Sequence, residues 1–287
     1  MVDLRDRTDG SVPPLVPLPE AEGRAHSAFI CNYSMDYVIA IPSYHRAEIC
    51  RDKTLAMLSK HNIPKSKIHV YIVKEDEEAY KRIDCNIVIG KKGLVQQRQF
   101  IIEQFPEGKP IVFLDDDIEK VDVDEFKTLD HFIKEAFRIT KEENAFIWGV
   151  YPVFNPFFRK VRSRVTTCLN YIVGAFYGIL NRRDPKLKLT LTKENGQKED
   201  VERTILYFKH DGVVVRFNKV GFVTKYYGKQ GGLGTFEERL QPMKKASYLL
   251  KQKYPEYGTI LTRKTGMTEF RLTKIQRNST KKLKRTI

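Results

Sequence analysis

The sequence contains no long hydrophobic run. No apolar stretch approaches the roughly 20 residues that cross a bilayer as a helix, and the N-terminus lacks the basic-then-apolar order of a secretory signal. These absences predict a protein that is neither inserted in a membrane nor exported. We therefore expect a soluble, cytoplasmic protein with no membrane partner.

Cysteine is scarce as well. The chain has four cysteines, Cys31, Cys50, Cys85 and Cys168, and no two of them form a CxxC pair. Neither a zinc knuckle nor a disulfide scaffold is therefore indicated. We expect the thiols to be reduced.

Acidic residues are outnumbered by basic ones, 36 Asp and Glu against 51 Lys and Arg, which leaves a formal charge of +15. An excess of this size favours a polyanionic partner, either nucleic acid or an anionic membrane surface. In the second half, Arg159 and Arg162 follow a stretch that contains Phe154, Phe157 and Phe158. Basic side chains neutralise phosphates and aromatic rings stack on bases, although a solvated surface over buried rings is an equal alternative.

The length and the pattern of the chain predict one main domain with two appendages. Residues 1–35 mix prolines with charges and show no sustained period, which is typical of a flexible arm. We expect the domain to cover residues 36–275 and a basic C-terminal tail to cover residues 276–287.

Short apolar runs alternate with helix-like segments in the first half of the domain. The predicted strands are residues 37–41, 69–73, 86–89 and 111–114, and the predicted helices lie around 49–60 and 94–104. Such runs are typical of parallel strands covered on both faces. The second half predicts antiparallel additions at 145–151, 171–180 and 213–217 and a helix from about 242 to 253. The fold class is therefore α/β, an open mixed sheet flanked by helices.

Three consecutive carboxylates, Asp115, Asp116 and Asp117, follow the apolar strand at 110–114. Open parallel sheets place their ligands at this end of the strands. Adjacent carboxylates need a cation or dense hydrogen bonding when buried. In an extended segment Asp115 and Asp117 face one site and Asp116 another. A hard divalent ion, Mn²⁺ or Mg²⁺, suits these ligands, although a solvated loop, a nuclease or a nucleotidyltransferase offers the same run.

Two further segments precede the acidic run. The first strand leads into PSYHR (residues 42–46), where Arg46 offers the planar fork that suits phosphate. The segment GKKGLVQQR (residues 90–98) has glycines that permit close backbone approach and places Arg98 about one turn into a helix, whose start offers free N–H groups. Lys91 and Lys92 also fit a solvated basic face.

A second acidic pair, Glu199 and Asp200, precedes a helix-like segment. A carboxylate at such a position can act as a general base, and it can equally cap the helix. His210 follows and can serve as a metal ligand through its neutral imidazole, or as part of a turn.

The order of PSYHR, GKKGLVQQR and FLDDD over residues 36–120 resembles the GT-A glycosyltransferase superfamily. The resemblance implies a GT-A-like domain, with a nucleotide-sugar-binding half at 36–120, an acceptor-binding half at 121–275 and UDP-sugar as co-substrate. It implies that Asp200 is the catalytic base and Glu199 an acceptor or structural contact. It implies that the metal ligands are Asp115, Asp117 and His210. The implied donor-binding residues are Pro42, Ser43, Tyr44, Arg46, Lys92, Gly93, Gln97, Arg98, Asp115 and Asp116.

Three later segments, at 199–203, 211–217 and 225–233, resemble a narrower group, the TET/JBP-associated glycosyltransferases found largely in phages. The resemblance implies transfer of a sugar, with inversion, to the hydroxyl of a 5-hydroxymethylated pyrimidine, 5-hydroxymethylcytosine, in double-stranded DNA within the host cytoplasm. The expected acceptor contacts are Arg159, Arg162, Lys229, Gly231 and Gly232. A glycan, lipid or protein acceptor, and a non-catalytic DNA-binding module, are the alternatives. The sequence does not specify the sugar or the oligomeric state.

Overall fold

A central sheet of eight strands organises the chain, as seen in a computed structural model that describes residues 36–123, 125–191, 196–224 and 235–277. All of these residues belong to one compact unit, Met35–Ile287. The predicted arm at 1–35 lies outside the described residues, as does nearly all of the predicted tail at 276–287, so both stay predictions.

The strands are β1 Val38–Pro42, β2 Ile68–Ile72, β3 Asn86–Ile89, β4 Pro110–Leu114, β5 Lys120–Asp122, β6 Ile147–Val150, β7 Val165–Thr166, β8 Phe176–Leu180, β9 Val215–Phe217, β10 Gly221–Val223, β11 Gly258–Thr262 and β12 Thr268–Leu272. The helices are α1 Ala47–Ile49, α2 Ala56–Lys60, α3 Glu77–Tyr80, α4 Leu94–Gln104, α5 Leu129–Glu142, α6 Pro156–Lys160, α7 Glu199–Asp211 and α8 Phe236–Lys253. A π-helical segment, Cys50–Leu55, joins α1 to α2.

The strand order of the central sheet is β3-β2-β1-β4-β8-β6-β9-β7. Strands β1 to β4 pair in parallel, whereas β8 runs antiparallel to both β4 and β6 and β7 runs antiparallel to β9. The prediction of an open mixed sheet flanked by helices is confirmed. The carboxyl ends of β1 and β4 meet the amino end of β8 at one edge, because Leu114 pairs with Phe176.

The two faces of the sheet carry separate apolar layers, since successive side chains of a strand point to opposite faces. On one face Trp148 and Phe176 pack edge-on against Phe132 of α5. On the other face Phe113 and Tyr177 stack in parallel at a ring separation of 4.8 Å, within a cluster that includes residues of α4 and α7. This two-sided burial explains why the strands appear in the sequence as continuous apolar runs.

Two smaller sheets complete the described part of the fold. Strands β5 and β10 pair beside the acidic run, and the β11–β12 hairpin packs against α8. Helix α8 begins six residues before Pro242, where the sequence predicted its start, because Thr235 and Glu238 form a capping box that fixes the earlier beginning. No helix in the described ranges has the length and apolarity needed to span a lipid bilayer.

Candidate active site

The acidic run lies in a tight turn just beyond β4, at the edge where β1 and β8 also reach. The backbone N–H of Asp115 donates to the carbonyl of Ala175 at 2.9 Å. The hydroxyl of Thr54, from the π-helical segment, donates to the carbonyl of Asp115 and accepts from the N–H of Ile118, both at 2.8 Å. Two segments distant in sequence therefore hold the backbone of the turn that carries the three carboxylates.

Asp116 and Asp117 face the same guanidinium. Nη1 of Arg46 donates to Asp116 at 2.8 Å and to Asp117 at 3.2 Å. The Ser43 hydroxyl donates to the other oxygen of Asp116 at 2.5 Å, and the Thr224 hydroxyl donates to the other oxygen of Asp117. The extended geometry expected for this run is wrong, because Asp116 and Asp117 form a turn. That Asp115 and Asp117 face one site stays a prediction.

Asp115 points to a different partner, Arg98 of α4. Nη2 of Arg98 donates to Oδ1 of Asp115 at 3.1 Å and to the carbonyl of Gly174 at 2.7 Å. Within the described part of the chain, no donor contacts the second oxygen, Oδ2, of Asp115, and 37% of this side chain is exposed. Asp115 is therefore the one carboxylate of the run with an oxygen open to a ligand from solvent.

The surroundings disfavour ionisation of the acidic run in the metal-free protein. Desolvation, opposed by Arg98 and reinforced by the two neighbouring carboxylates, raises the pKa of Asp115 to about 7. Desolvation likewise raises the pKa of Asp116 to about 6, against the pull of Arg46. A cation in this turn would compensate the charge that the protein leaves unbalanced.

The predicted PSYHR turn packs directly against this acidic run. Ser43 is buried, and its N–H donates to the carbonyl of Tyr71 at 2.9 Å. His45 adopts a left-handed backbone conformation, with φ of 54°. Its N–H and its Nδ1 both contact the carboxylate of Asp76, at 2.7 and 2.5 Å. Asp76 was not predicted, because the contact spans 31 residues and no local pattern marks it.

The glycine-bearing segment forms the other wall of the site. Gly93 has φ of 96° and is the N-cap of α4, so the N–H groups of the first turn lack a side-chain cap. The buried Gln97 accepts from the N–H of Lys91 at 2.6 Å, which ties the loop back onto the helix. The amine of Lys92 lies 5.6 Å from the ring of Tyr44, so this segment and the PSYHR turn meet. Lys92 remains exposed.

The second acidic pair begins α7 and joins the same cluster. Glu199 is buried, and its two oxygens accept from different arginines, Nη1 of Arg98 and, at 2.7 Å, Nη1 of Arg203. Asp200 accepts from the hydroxyl of Tyr171 and from the N–H of Gly174, the latter at 3.3 Å. Neither residue is the N-cap of α7, because that position is Lys198.

Gly174 lies at the centre of this cluster and was missed in the sequence. A Cβ placed on it would come within 3.1 Å of Glu199 Oε1, 3.2 Å of Arg98 Nη1 and 3.3 Å of Asp200 Cβ. Its carbonyl contacts Arg98 and its N–H contacts Asp200. The backbone of Gly174 therefore connects the group that holds Asp115 to the predicted base.

Two predicted residues occupy positions that do not fit their predicted roles. His210 lies in the last turn of α7, where its ring contacts Asp184 at 2.8 Å and Asp211 at 2.9 Å. At 1.5 Å per residue this is roughly 16 Å along the helix from Glu199, so His210 does not join the acidic run as a metal ligand. Arg159 is buried and pairs with Asp122, so its guanidinium is not available to DNA phosphates.

Of the remaining predicted acceptor contacts, the structure describes one, Arg162. Arg162 is exposed, with its Nε donating to the hydroxyl of Tyr151 at 2.8 Å. Lys229, Gly231 and Gly232 lie outside the described residues, and their roles stay predictions.

A divalent ion fits this site only if the protein and a bound molecule both supply its ligands. Among the described residues, no group of three or more His, Cys, Asp or Glu side chains is arranged to enclose a metal ion. Both oxygens of Asp116 and Asp117 are engaged, which leaves Oδ2 of Asp115 as the protein ligand that needs no rearrangement. The other positions of the ion would be filled by water or by oxygens of a bound phosphate, as hard divalent ions commonly allow.

No model of a protein family matches the sequence, and no curated protein matches it. Among solved structures, the chain is similar to residues 1–349 of TarS from S. aureus, with 14% identity and a TM-score of 0.47 over 75% of this chain and 65% of that one, slightly less than two thirds. It is also similar to glucosyl-3-phosphoglycerate synthase from Mycobacterium tuberculosis in complex with Mn²⁺, UDP and phosphoglyceric acid, with 9% identity and a TM-score of 0.48 over 84% of this chain and 88% of that one. A further structure of that synthase, with phosphoglyceric acid, has 11% identity and a TM-score of 0.49 over 84% and 89%. The function of this chain is therefore inferred from its own residues.

Proposed function

We propose that this protein is a metal-dependent glycosyltransferase that uses a nucleoside diphosphate sugar, UDP-sugar, as its donor. The observation that carries the proposal is the convergence of Asp115, Arg98 and Asp200 at the edge of the sheet. Asp115 has an oxygen open to a cation. Asp200 is held in place by a hydroxyl and an amide donor. Diphosphate release and proton abstraction need these two functions close together.

The donor diphosphate is assigned to the wall formed by the α4 amino end and the PSYHR turn. Gly93 permits the close backbone approach, and the uncapped N–H groups of α4 suit phosphate oxygens. Arg98 and Arg46 are both held by carboxylates, so they act by keeping the acidic run in place and by reducing its negative charge. Tyr44, which lies beside Lys92, is positioned to flank the base of the nucleotide.

The metal is assigned first to Asp115. A Mn²⁺ or Mg²⁺ ion there would neutralise the charge that develops on the leaving diphosphate. Asp116 and Asp117 support the turn through Ser43, Arg46 and Thr224. Asp117 joins the ion only if its contact with Arg46 or Thr224 opens.

Asp200 is assigned as the general base that takes the proton of the acceptor hydroxyl. The Tyr171 hydroxyl and the Gly174 N–H both donate to its Oδ2 and hold the side chain in place. Glu199 is a positioning residue, since it is buried between Arg98 and Arg203. A base that activates the acceptor directly implies inversion at the anomeric carbon.

The acceptor is proposed to be a 5-hydroxymethylated pyrimidine, 5-hydroxymethylcytosine, in double-stranded DNA. The support is the resemblance of residues 199–203 and 211–217 to the DNA glycosyltransferases of phages, together with the net charge of +15. A polyanionic acceptor is attracted by such a charge. A glycan, lipid or protein acceptor retains the donor site and is the alternative.

The proposal is tested by incubating the full chain and Mn²⁺ with a panel of nucleotide sugars and duplex DNA that contains cytosine, 5-hydroxymethylcytosine or 5-hydroxymethyluracil. We expect a mass gain of one sugar on digested hydroxymethylated nucleosides and none on cytosine. Metal-dependent release of UDP without a gain on any DNA would refute the DNA acceptor and leave the donor chemistry. DNA binding without any release of nucleoside diphosphate would refute the enzyme and favour a binding module.

A further inference from the structure

A patch of apolar and basic side chains is exposed on α6 and the turn after it. Phe157 is 74% exposed, Phe158 is 49% exposed and Val161 is 88% exposed. Lys160 and Arg162, also exposed, alternate with them along the chain. We refer to these five residues as the α6 patch. Large apolar side chains grouped in this way on a surface mark an interaction site.

The α6 patch is built on a rigid base. Arg159, from the same helix, is buried, and its guanidinium donates to the carbonyl of Phe154, to the carbonyl of Lys219 and to the carboxylate of Asp122. The amine of Lys219 returns to the carbonyls of Arg159 and Lys160, at 3.2 and 2.8 Å. The exposed rings therefore project from a segment that is anchored from below.

The electrostatics of the α6 patch favour an anionic partner. The sequence contains no Asp or Glu from residue 145 to residue 183. The nearest described acids are already paired, since Asp122 contacts Arg159 and Glu125 contacts Arg164 at 3.0 Å. Lys160 has no acidic partner among the described residues, and Arg162 donates to a tyrosine hydroxyl.

The α6 patch is connected to the acidic run through a short stretch of chain and a pair of strands. Asp122, which anchors Arg159, follows Asp117 by five residues, so the chain between them spans at most about 18 Å. Strand β10 pairs with β5 and leads to Thr224, whose hydroxyl contacts Asp117. These contacts tie the buried base of the α6 patch, Arg159, to the turn that carries the acidic run.

We propose that the α6 patch is a DNA-distorting wedge, in which Phe157 and Phe158 fill the space left by an extruded base while Lys160 and Arg162 bind the flanking phosphates. This inference rests on the proposed function and names how its acceptor is presented. Enzymes that act on a base commonly extrude it from the stack into their active site, and the wedge names the residues that would support this step here. Apolar side chains inserted between base steps stabilise such a gap, and they need a rigid support to do so.

An anionic lipid surface would also attract apolar and basic side chains. The observations favour DNA because the base of the α6 patch is tied to the turn that carries the acidic run and because its two rings lie edge to face at 5.5 Å on a fixed support. Insertion into a bilayer does not require that anchoring. The lipid surface is therefore a competing outcome of the test.

The test compares the full-length protein with the double variant Phe157→Ser/Phe158→Ser and with a matched control, Tyr248→Ser/Leu249→Ser. The control removes two adjacent exposed apolar side chains from α8, a different element. The probe is a duplex with 5-hydroxymethylcytosine next to 2-aminopurine, whose fluorescence rises when it is unstacked. Binding is measured by anisotropy, and donor-site integrity by the melting shift with UDP and Mn²⁺.

We expect the α6 double variant to bind the duplex at least about tenfold more weakly, as loss of base stacking implies, and to lose the fluorescence rise. The control pair and the conservative variant Phe157→Trp should retain both. Lys160→Gln/Arg162→Gln should lower the magnitude of the slope of the logarithm of the binding constant against the logarithm of the salt concentration, by about the amount that two phosphate contacts contribute. All variants should keep the melting shift with UDP and Mn²⁺.

Unchanged binding and fluorescence in the α6 double variant would overturn the wedge. Binding of the wild type to vesicles of phosphatidylserine and phosphatidylcholine that is lost in the same variant, with DNA binding retained, would also overturn it in favour of a lipid surface. Failure of the proposed function appears differently, because the wild type would then show no melting shift with UDP and Mn²⁺ and no sugar transfer.

Discussion

At the scale of single residues, Asp200 is distinguished from Glu199 by what holds each of them. Glu199 is saturated by two arginines, whereas Asp200 is held by a hydroxyl and a backbone amide and is only half-buried. A proton acceptor must be open to the substrate, so the roles of the two neighbours differ.

We therefore expect Asp200→Asn to lower the rate of sugar transfer by about 10² to 10⁴, the usual contribution of a general base. The amide preserves the size of the side chain, so the melting shift with UDP and Mn²⁺ should remain that of the wild type. Turnover is measured by UDP release. Wild-type turnover in this variant would remove Asp200 from the mechanism.

Gly174 gives a second prediction at this scale. In Gly174→Ala the new methyl crowds Arg98, Glu199 and Asp200 at once. We expect kcat to fall at least about tenfold, because small misplacements of positioned groups are costly. The measurement is kcat per folded molecule.

The matched control is Gly108→Ala. Gly108 has φ of 77° and no neighbour within 4 Å of an added Cβ. In Gly108→Ala the left-handed backbone is forced onto a residue with a Cβ, which costs about 1 kcal/mol or more. The new methyl group does not touch the site. If both variants lose stability equally and neither loses kcat, the central position of Gly174 has no catalytic importance.

At the scale of elements, the sequence was sufficient for the repeating parts of the fold and insufficient for contacts between distant ends. The first four predicted strands match β1 to β4 within one residue. For β1, β2 and β4, burial on both faces imposes the apolar runs, whereas β3 is half-exposed at the edge of the sheet. The Arg98–Glu199 pair spans 101 residues and the Thr224–Asp117 pair spans 107, so no local spacing encodes either. The extended geometry expected for the three aspartates failed for a local reason, since Asp116 and Asp117 form a turn.

Helix α7 gives the prediction at this scale, because its length separates His210, which the sequence placed at the metal, from Glu199 at its amino end, which joins the acidic run through Arg98. His210→Ala should leave the melting shift caused by Mn²⁺ and UDP unchanged, since the helix carries His210 roughly 16 Å from its amino end. Asp115→Ala should abolish most of that shift. Loss of the shift in His210→Ala, with folding retained by circular dichroism, would return His210 to the metal.

At the scale of the whole molecule, the acidic run links stability to both pH and metal. The pKa of Asp115 is raised to about 7 in the folded protein, mainly by desolvation, and the ordinary value is 3.8. Between these values the folded state binds more protons than the unfolded state, so this contribution to the free energy of unfolding is complete below pH 4 and is lost as the pH rises towards 7. A divalent ion bound at Asp115, as proposed, would compete with the proton for the same carboxylate.

We therefore expect metal-free Asp115→Asn to be about as stable as the wild type below pH 4, more stable than it at pH 5.5, and more stable by a larger margin at pH 8, because the amide has no ionised form that the unfolded state would favour. Adding Mn²⁺ should stabilise the wild type more at pH 8 than at pH 5.5 and should affect the variant little at either pH. Thermal melts of both proteins at the two pH values, with Mn²⁺ or with EDTA, check this. Comparison with the variant cancels the titration of histidines such as His61 and His69, whose pKa values are lowered by burial. A Mn²⁺ shift of equal size at both pH values would show that the ion does not bind at Asp115, since a ligand that must lose a proton cannot bind a metal independently of pH.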